Sequence, residues 1–239
     1  MSKVELAIKF GSNEIIVYRK GLGIIARQSS YVATPINKPK GKIYAYGDDA
    51  KRLCELKTSK YELHQPIQGI DITNGHLAQQ LIINIINNAL FEGGSISALV
   101  AVPCALTEKK LLELKLILHS AGISKVTFVP NEVCIRANMS SVEDDAKVAI
   151  ADIGKFLVDV SVLTRYDMLK GRSYLVGGGE MDIALATYIE DNYGVKITTE
   201  QAETIKDEIA SMFDNDMYTV TFEGIDLNNE YKAVTIRAN

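Results

Sequence analysis

The sequence has no surplus of positive charge. Its 26 lysines and arginines stand against 30 aspartates and glutamates, for a net charge of −4 and a pI near 5.5. It therefore lacks the basic face with which proteins neutralise nucleic-acid phosphates, and no nucleic-acid partner is expected. Long hydrophobic runs are also missing: the longest, around Leu81–Ile86, is interrupted by Asn84. That is far below the roughly 20 apolar residues a helix needs to cross a bilayer. The opening MSKVELAIKF has neither the charged start nor the apolar stretch of a secretory signal, so a cytoplasmic location is expected. Cys54, Cys104 and Cys134 lie too far apart for a disulfide framework or a paired zinc-ligand spacing, and they read as reduced thiols. His64, His76 and His119 are scattered and read as structural, with His119 closing a predicted helix where a cation suits the dipole. No metal site is expected from spacing.

What is present suits a globular chain. With 239 residues, 47% hydrophobic and 23% charged, it can bury a sizeable core in one large domain or two small ones. Val4–Phe10 alternates, Gly11, Ser12 and Asn13 turn the chain, Ile15–Arg19 returns, and Gly23–Arg27 starts a third strand. Residues 35–70 carry three of the five prolines and a helix signal at Asp48–Leu56, which reads as a small inserted subdomain. Gly75–Phe91 has the helical period, Ala98–Val102 is a wholly apolar strand, and Thr107 caps a leucine-rich helix that stops before Gly122. Val126–Val129 and a helix to about Asn138 complete a parallel βαβ unit on the opening meander.

The pattern then restarts. Lys147–Ile153, Val158–Thr164 and Leu169–Leu175 form a second meander, a weak internal repeat that predicts two related lobes. After Gly177–Gly179 come helices over Met181–Asn192 and Thr199–Phe213, the latter capped by Thr199 with only half of a capping box because Ala202 stands at its third position. Tyr218–Gly224 and Ala233–Arg237 read as a terminal hairpin.

Two facing strand–turn–strand loops are the phosphate-binding arrangement of the actin, sugar kinase and heat-shock chaperone superfamily. The stretch IKFGSNEIIVYRKGLGII resembles the D-L-G-T-A-N-T loop and V-Y-x-K-G-x-G-I of the MreB-like bacterial actins, and LVAVP resembles their next strand. VGGGEMDIALATYIEDNYGVKITTEQAETIKDEIAS, residues 176–211, resembles the family's G-G-D-x-F-D-x-A-I-x-x-Y-I followed by A-E-x-I-K-x-E-I. The resemblance implies an α/β, actin-like (ribonuclease H-like) two-lobed fold with an incomplete second lobe. Residues 1–140 would form the first lobe, with the insert at about 35–74. Residues 141–239 would form a partial second lobe, with the meander at 147–176 and a helical and hairpin subdomain at 177–239.

The same resemblance implies a nucleotide site for ATP or ADP with Mg²⁺. Gly11, Ser12 and Asn13 match the first phosphate loop, Asp152 and Gly154 the second, and Glu203 and Lys206 stand near the adenosine. Asp152 is the candidate metal contact, with a turn-capping role as the alternative, and Glu132 is the candidate water-activating carboxylate. The departures are as informative. Lys9 replaces the family's aspartate, and Lys155, Phe156 and Leu157 replace the G-G-T of the family's D-I-G-G-G-T-T, a loop whose glycines let bare backbone approach phosphate. The family's E-E-P aligns with Pro130-Asn131-Glu132, one place out of register for the carboxylate. Each such loss costs about 3 kcal/mol of transition-state stabilisation, about a hundredfold in rate, so little ATPase activity is expected and nucleotide binding is weak or absent.

Other features carry two readings. Gly177–Gly179 fits a phosphate loop or, more commonly, a tight strand–helix connection. Leu90-Phe91 fits peripheral membrane contact or core, and Glu143-Asp144-Asp145 reads as a solvated hinge. The edge of Lys147–Ile153 would lack its family neighbour, which fits a shortened chain or an edge covered by a partner or a second copy. The function expected is a cell-shape cytoskeletal protein that forms or modulates filaments, by self-association or co-assembly with a full-length relative. The alternatives are a non-filamentous actin-fold adaptor or chaperone-like module, and an active ATPase.

Overall fold

Strand β1 (Lys3–Phe10) alternates strictly, with Val4, Leu6, Ile8 and Phe10 all buried, and it occupies the centre of the largest sheet. β2 (Glu14–Arg19) and β3 (Gly23–Ser29) follow it antiparallel. On its other side β9 (Ser95–Val102) and β10 (Ile123–Pro130) run parallel to it, giving the order β10-β9-β1-β2-β3. Parallel neighbours need crossover helices, and two supply them. α2 (Gly75–Ala89) buries Leu77, Ala78, Leu81, Ile82, Ile85 and Ile86, and α3 (Glu108–Ser120) buries Leu114, Ile117 and Leu118 in the same core. Asn74 and Thr107 cap them, each side chain accepting from the backbone N–H three residues on. His119 serves structurally, its Nδ1–H donating to the Ile123 carbonyl at 2.7 Å.

The computed structural model describes residues 3–37, 42–55, 60–90, 94–211, 219–228 and 233–238, in two compact units, Met1–Leu175 and Val176–Asn239. Within the first, β4 (Val32–Pro35) pairs with β5 (Ala45–Tyr46) and β6 (Tyr61–His64), and α1 (Asp48–Glu55) lies against this small sheet. β7 (Ile67–Gln68) and β8 (Asp71–Ile72) form a short hairpin ahead of α2. The insert's own sheet thus begins at Val32, slightly before the expected start near 35. Leu90 packs against the main core, while its neighbour Phe91, with Gly93, lies outside the described residues.

α4 (Asn131–Ala137) packs against β11 (Val148–Ile153) and β12 (Val158–Leu163), which continue antiparallel into β13 (Met168–Tyr174). This meander therefore belongs to the same compact unit as the βαβ core, whereas the boundary expected from sequence fell near 140. Its alternation is inverted relative to an ordinary sheet. The inner face of β12 carries Asp159, Ser161 and Leu163, all buried, while Val160 and Val162 are 40% and 38% exposed. The acidic run is engaged as well: Asp144 pairs with Arg165 and accepts from the Tyr166 hydroxyl at 2.9 Å.

In the second unit α5 (Gly178–Tyr193) and α6 (Thr199–Ile209) pack on a three-stranded sheet of β14 (Val195–Lys196), β15 (Val220–Asp226) and β16 (Ala233–Ala238). Leu175–Gly177 joins β13 to α5, whose first two residues are Gly178 and Gly179, and Glu180 accepts from the Gly177 N–H at 2.7 Å. The cap expected at Thr199 is in fact Thr198. Its hydroxyl accepts from Gln201 N at 3.2 Å, and the Gln201 side chain accepts from Thr198 N at 2.9 Å, a complete capping box. The helical and hairpin signals near 213 and 218 extend into residues outside the described ones. Among the described residues no helix is long and apolar enough to cross a membrane.

Leu118 is fully buried and Leu116, on the opposite face of α3, is 62% exposed. Leu118→Ala should cost about 2–5 kcal/mol of stability and Leu116→Ala less than about 0.5 kcal/mol, read from urea unfolding midpoints. Equal effects would contradict the assigned core face.

Candidate functional site

The parallel strands deliver three segments to their carboxyl ends: Gly11–Asn13 after β1, Cys104 after β9, and Asn131–Glu132 after β10. Gly11 N donates to Glu14 O at 3.2 Å, and a Cβ on Gly11 would lie 2.8 Å from that oxygen, so the turn admits only glycine without a shift. Ser30 binds the loop from the side, through Gly11 O at 2.7 Å and Asn13 O at 2.9 Å. Ser12 Oγ accepts from Gly69 N at 2.7 Å, and Ser12 O accepts from Gln65 Nε2 at 2.7 Å. Lys9 is exposed and forms no ion pair among the described residues.

The second loop joins β11 to β12. Gly154 N donates to Leu157 O at 2.8 Å, which closes a tight turn through Lys155 and Phe156. Lys155 Nζ donates to the Tyr31 hydroxyl at 3.4 Å, and Leu157 is buried. Gly69 has φ +58, and a Cβ there would sit 3.4 Å from the Phe156 carbonyl oxygen. One glycine of the insert thus contacts both loops, through its N–H to Ser12 and its bare Cα to Phe156.

Behind the loops lies an acidic cluster. Asp152 on β11 is the direct cross-strand partner of Asp159 on β12, and Asp159 is in turn the partner of Ser173 on β13. Partners in register share a face, so all three side chains line the side against which α4 packs. Glu132, in the first turn of α4, is fully buried, and among the described residues neither carboxyl oxygen has a hydrogen-bonding donor. Its ionisable atom, that of Asp159 and the Cys104 sulfur all lie within 4.8 Å of one another. The Ser173 hydroxyl donates to Asp159, and the Cys104 thiol donates to the same carboxylate oxygen at 3.7 Å. Burial pushes the Glu132 carboxyl up to about 7, with the Asp159 and Asp152 charges adding to it. Burial likewise raises Asp159, against the lowering effect of the Ser173 hydroxyl, and pushes the Cys104 thiol up to about 11.

The sequence model of the MreB/Mbl protein family matches residues 3–238. The chain belongs to the MreB/Mbl family. It is 24% identical over 213 residues to the cell shape-determining protein Mbl of Bacillus subtilis (87% of this chain, 63% of the relative), and 26% identical over 220 residues to the cell shape-determining protein MreB of Escherichia coli (89% and 63%). The chain thus spans about 63% of the length of these curated relatives. Its fold is that of MreB5 of Spiroplasma citri, crystallised with AMPPNP (TM-score 0.88, 21% identity, 99% of this chain and 72% of that one). The MamK double helical filament is similar too (TM-score 0.79, 17% identity, 99% and 73%). The actin-like α/β architecture expected from sequence is therefore established.

Within this MreB/Mbl-family chain the expected site residues fall in separate places. Gly11, Ser12, Asn13 and Gly154 sit on two loops of the first unit, both touching the insert, and Asp152 is on β11 just ahead of the second loop. Glu203 and Lys206 stand on α6 of the second unit, where Lys206 Nζ binds the buried Asp182 carboxylate at 2.5 Å and so anchors α6 to α5. Glu132 does not open into solvent but faces Asp159 and Cys104. Sequence reasoning missed those two partners. The available signal was the order V-D-V-S-V-L, in which either the polar or the apolar set could have faced inward.

The Glu132 value has a direct consequence for stability. Its folded-state pKa of about 7 exceeds the usual 4.5, so the folded chain keeps a proton that the unfolded chain releases between those values. The stabilising contribution is complete below about pH 4.5 and disappears as pH rises to about 7. In the presence of a chelator, the urea midpoint of the wild type should fall from pH 5 to 8 relative to that of Glu132→Gln, which is neutral throughout. Parallel pH curves would refute the assignment.

Proposed function

We propose that this chain works in a cell-shape cytoskeleton of the MreB kind, forming filaments or modulating those of a longer relative, with a weakened nucleotide site. The family match from residue 3 to residue 238 carries the reading. The curated relatives Mbl and MreB are cell shape-determining proteins, and that role is extended here to a chain covering 63% of their length. Subunits that stack head to tail make a heterologous contact that propagates instead of closing. Exposed apolar side chains favour such association. Leu99, Tyr18 and Ile24 are 44%, 43% and 57% exposed in one cross-strand row of the large sheet. The proposed setting is the cytoplasm, with peripheral contact at the membrane.

Weak binding of ATP or ADP with Mg²⁺ and little hydrolysis complete the reading. Lys9 inverts the charge at the first loop, Ser12 Oγ is occupied by Gly69 N, and Lys155-Phe156-Leu157 put side chains where a phosphate would need bare main chain. Asp152 and Gly154 remain to hold the ligand's cation and backbone contacts. Lys9 and Lys155 still supply positive charge for an anion.

Two measurements test this. Sedimentation should reveal polymers that grow with concentration, or co-pelleting with a full-length MreB. Monomer under every condition would remove the filament reading, and a discrete stoichiometric complex would favour the adaptor. Saturating a tight site at a hundred times its dissociation constant stabilises a fold by about 2.7 kcal/mol. Millimolar MgATP should raise the melting temperature by clearly less than that corresponds to. A full-sized shift at micromolar ATP would overturn the weakened site.

A further inference from the structure

We propose that Cys104, Glu132 and Asp159 form a binding site for a divalent transition metal of borderline softness, with Zn²⁺ as the type. The geometry comes first. One sulfur and two carboxylate oxygens, delivered by the end of β9, the start of α4 and the middle of β12, converge within 4.8 Å. Zinc bonds of about 2.0–2.3 Å place tetrahedral ligand atoms about 3.5 Å apart, so the three groups need to close by only about an ångström. Three protein ligands leave a fourth position for water, and Cys104, which is half-buried, gives the ion a way in.

Electrostatics point the same way. Glu132 is completely buried and Asp159 is 2% exposed, yet neither forms an ion pair with a lysine or arginine among the described residues. Asp152, directly across from Asp159, adds a third carboxylate to the same face. The nearest buried cation on α4 is Arg136, one turn beyond Glu132. Its Nη1 and Nη2 donate to the carbonyls of Met139 (3.4 Å) and Glu143 (2.6 Å), its Nε has no partner among the described residues, and it forms no ion pair with Glu132. Among the described residues neither Glu132 oxygen has a donor, an arrangement that is costly in a protein interior unless a cation or a proton fills it.

The donor set selects the ion. Mg²⁺ and Ca²⁺ take oxygen ligands almost exclusively, whereas a thiolate beside carboxylates suits Zn²⁺ and its first-row neighbours. The Ser173 hydroxyl, bonded to Asp159 and 3.7 Å from the Cys104 sulfur, supplies the outer contact that orients a ligating carboxylate. Binding releases the thiol proton to solvent, and affinity therefore weakens in acid.

The test uses the full chain, stripped with a chelator and titrated anaerobically with Co²⁺. A thiolate-to-cobalt charge-transfer band should appear and saturate at about one equivalent, and Zn²⁺ should abolish it by displacement. Cys104→Ser should remove the band, while Cys54→Ser and Cys134→Ser keep it. Glu132→Gln and Asp159→Asn should each weaken Zn²⁺ binding by at least about tenfold in competition with a chromogenic chelator. The proposal is overturned if the wild type shows no saturable band, if Cys104→Ser retains it, or if Mg²⁺ displaces Co²⁺ as well as Zn²⁺ does.

Discussion

The parallel pairing of β1, β9 and β10 governs everything else in the first unit. Because these strands run the same way, each ends at the same edge of the sheet, and the residues that follow each strand meet there. The turn at Gly11–Asn13, the thiol of Cys104 and the carboxyl of Glu132 share no sequence neighbourhood, yet a single constraint of strand direction gathers them. The constraint is enforced from below. Val4, Leu6, Ile8 and Phe10 of β1 bury against the leucines and isoleucines of α2 and α3, and a shift of one residue would turn that whole set away from the core.

The meander β11–β13 makes a different bargain with water. Its inner face holds Asp159 and Ser161, with Asp152 on the same side, while the valines of β12 face outward. Polar groups placed inside need partners, and Asp159 finds them on other elements, in Ser173 from β13 and Cys104 from beyond β9, whereas the Ser161 hydroxyl and the Glu132 carboxyl are buried with no partner among the described residues. The join between the βαβ core and the meander is consequently an electrostatic one as much as an apolar one.

Much of this was legible in the sequence. Period-two alternation in Val4–Phe10 and the helical period in 75–91 marked the elements, and the 176–211 stretch marked the family. Two things were less visible. The cap is Thr198 and not Thr199 because Gln201 stands three residues after the former and completes a capping box, whereas Ala202 stands three after the latter. The two-residue β14 is too short for any pattern and exists because β15 offers it an edge. The acid–thiol cluster was invisible for a firmer reason. Spacing rules detect ligands that share a loop or a helix, whereas Cys104, Glu132 and Asp159 come from three elements and meet only after the sheet has formed.

The outward valines carry a consequence for handling as well as for biology. Val160 and Val162 lie beside β11, whose outer edge carries no further strand among the described residues. An apolar surface next to open backbone hydrogen-bonding groups is adhesive by nature. Self-association of the purified chain through this face therefore rises with its concentration, and dilution opposes it.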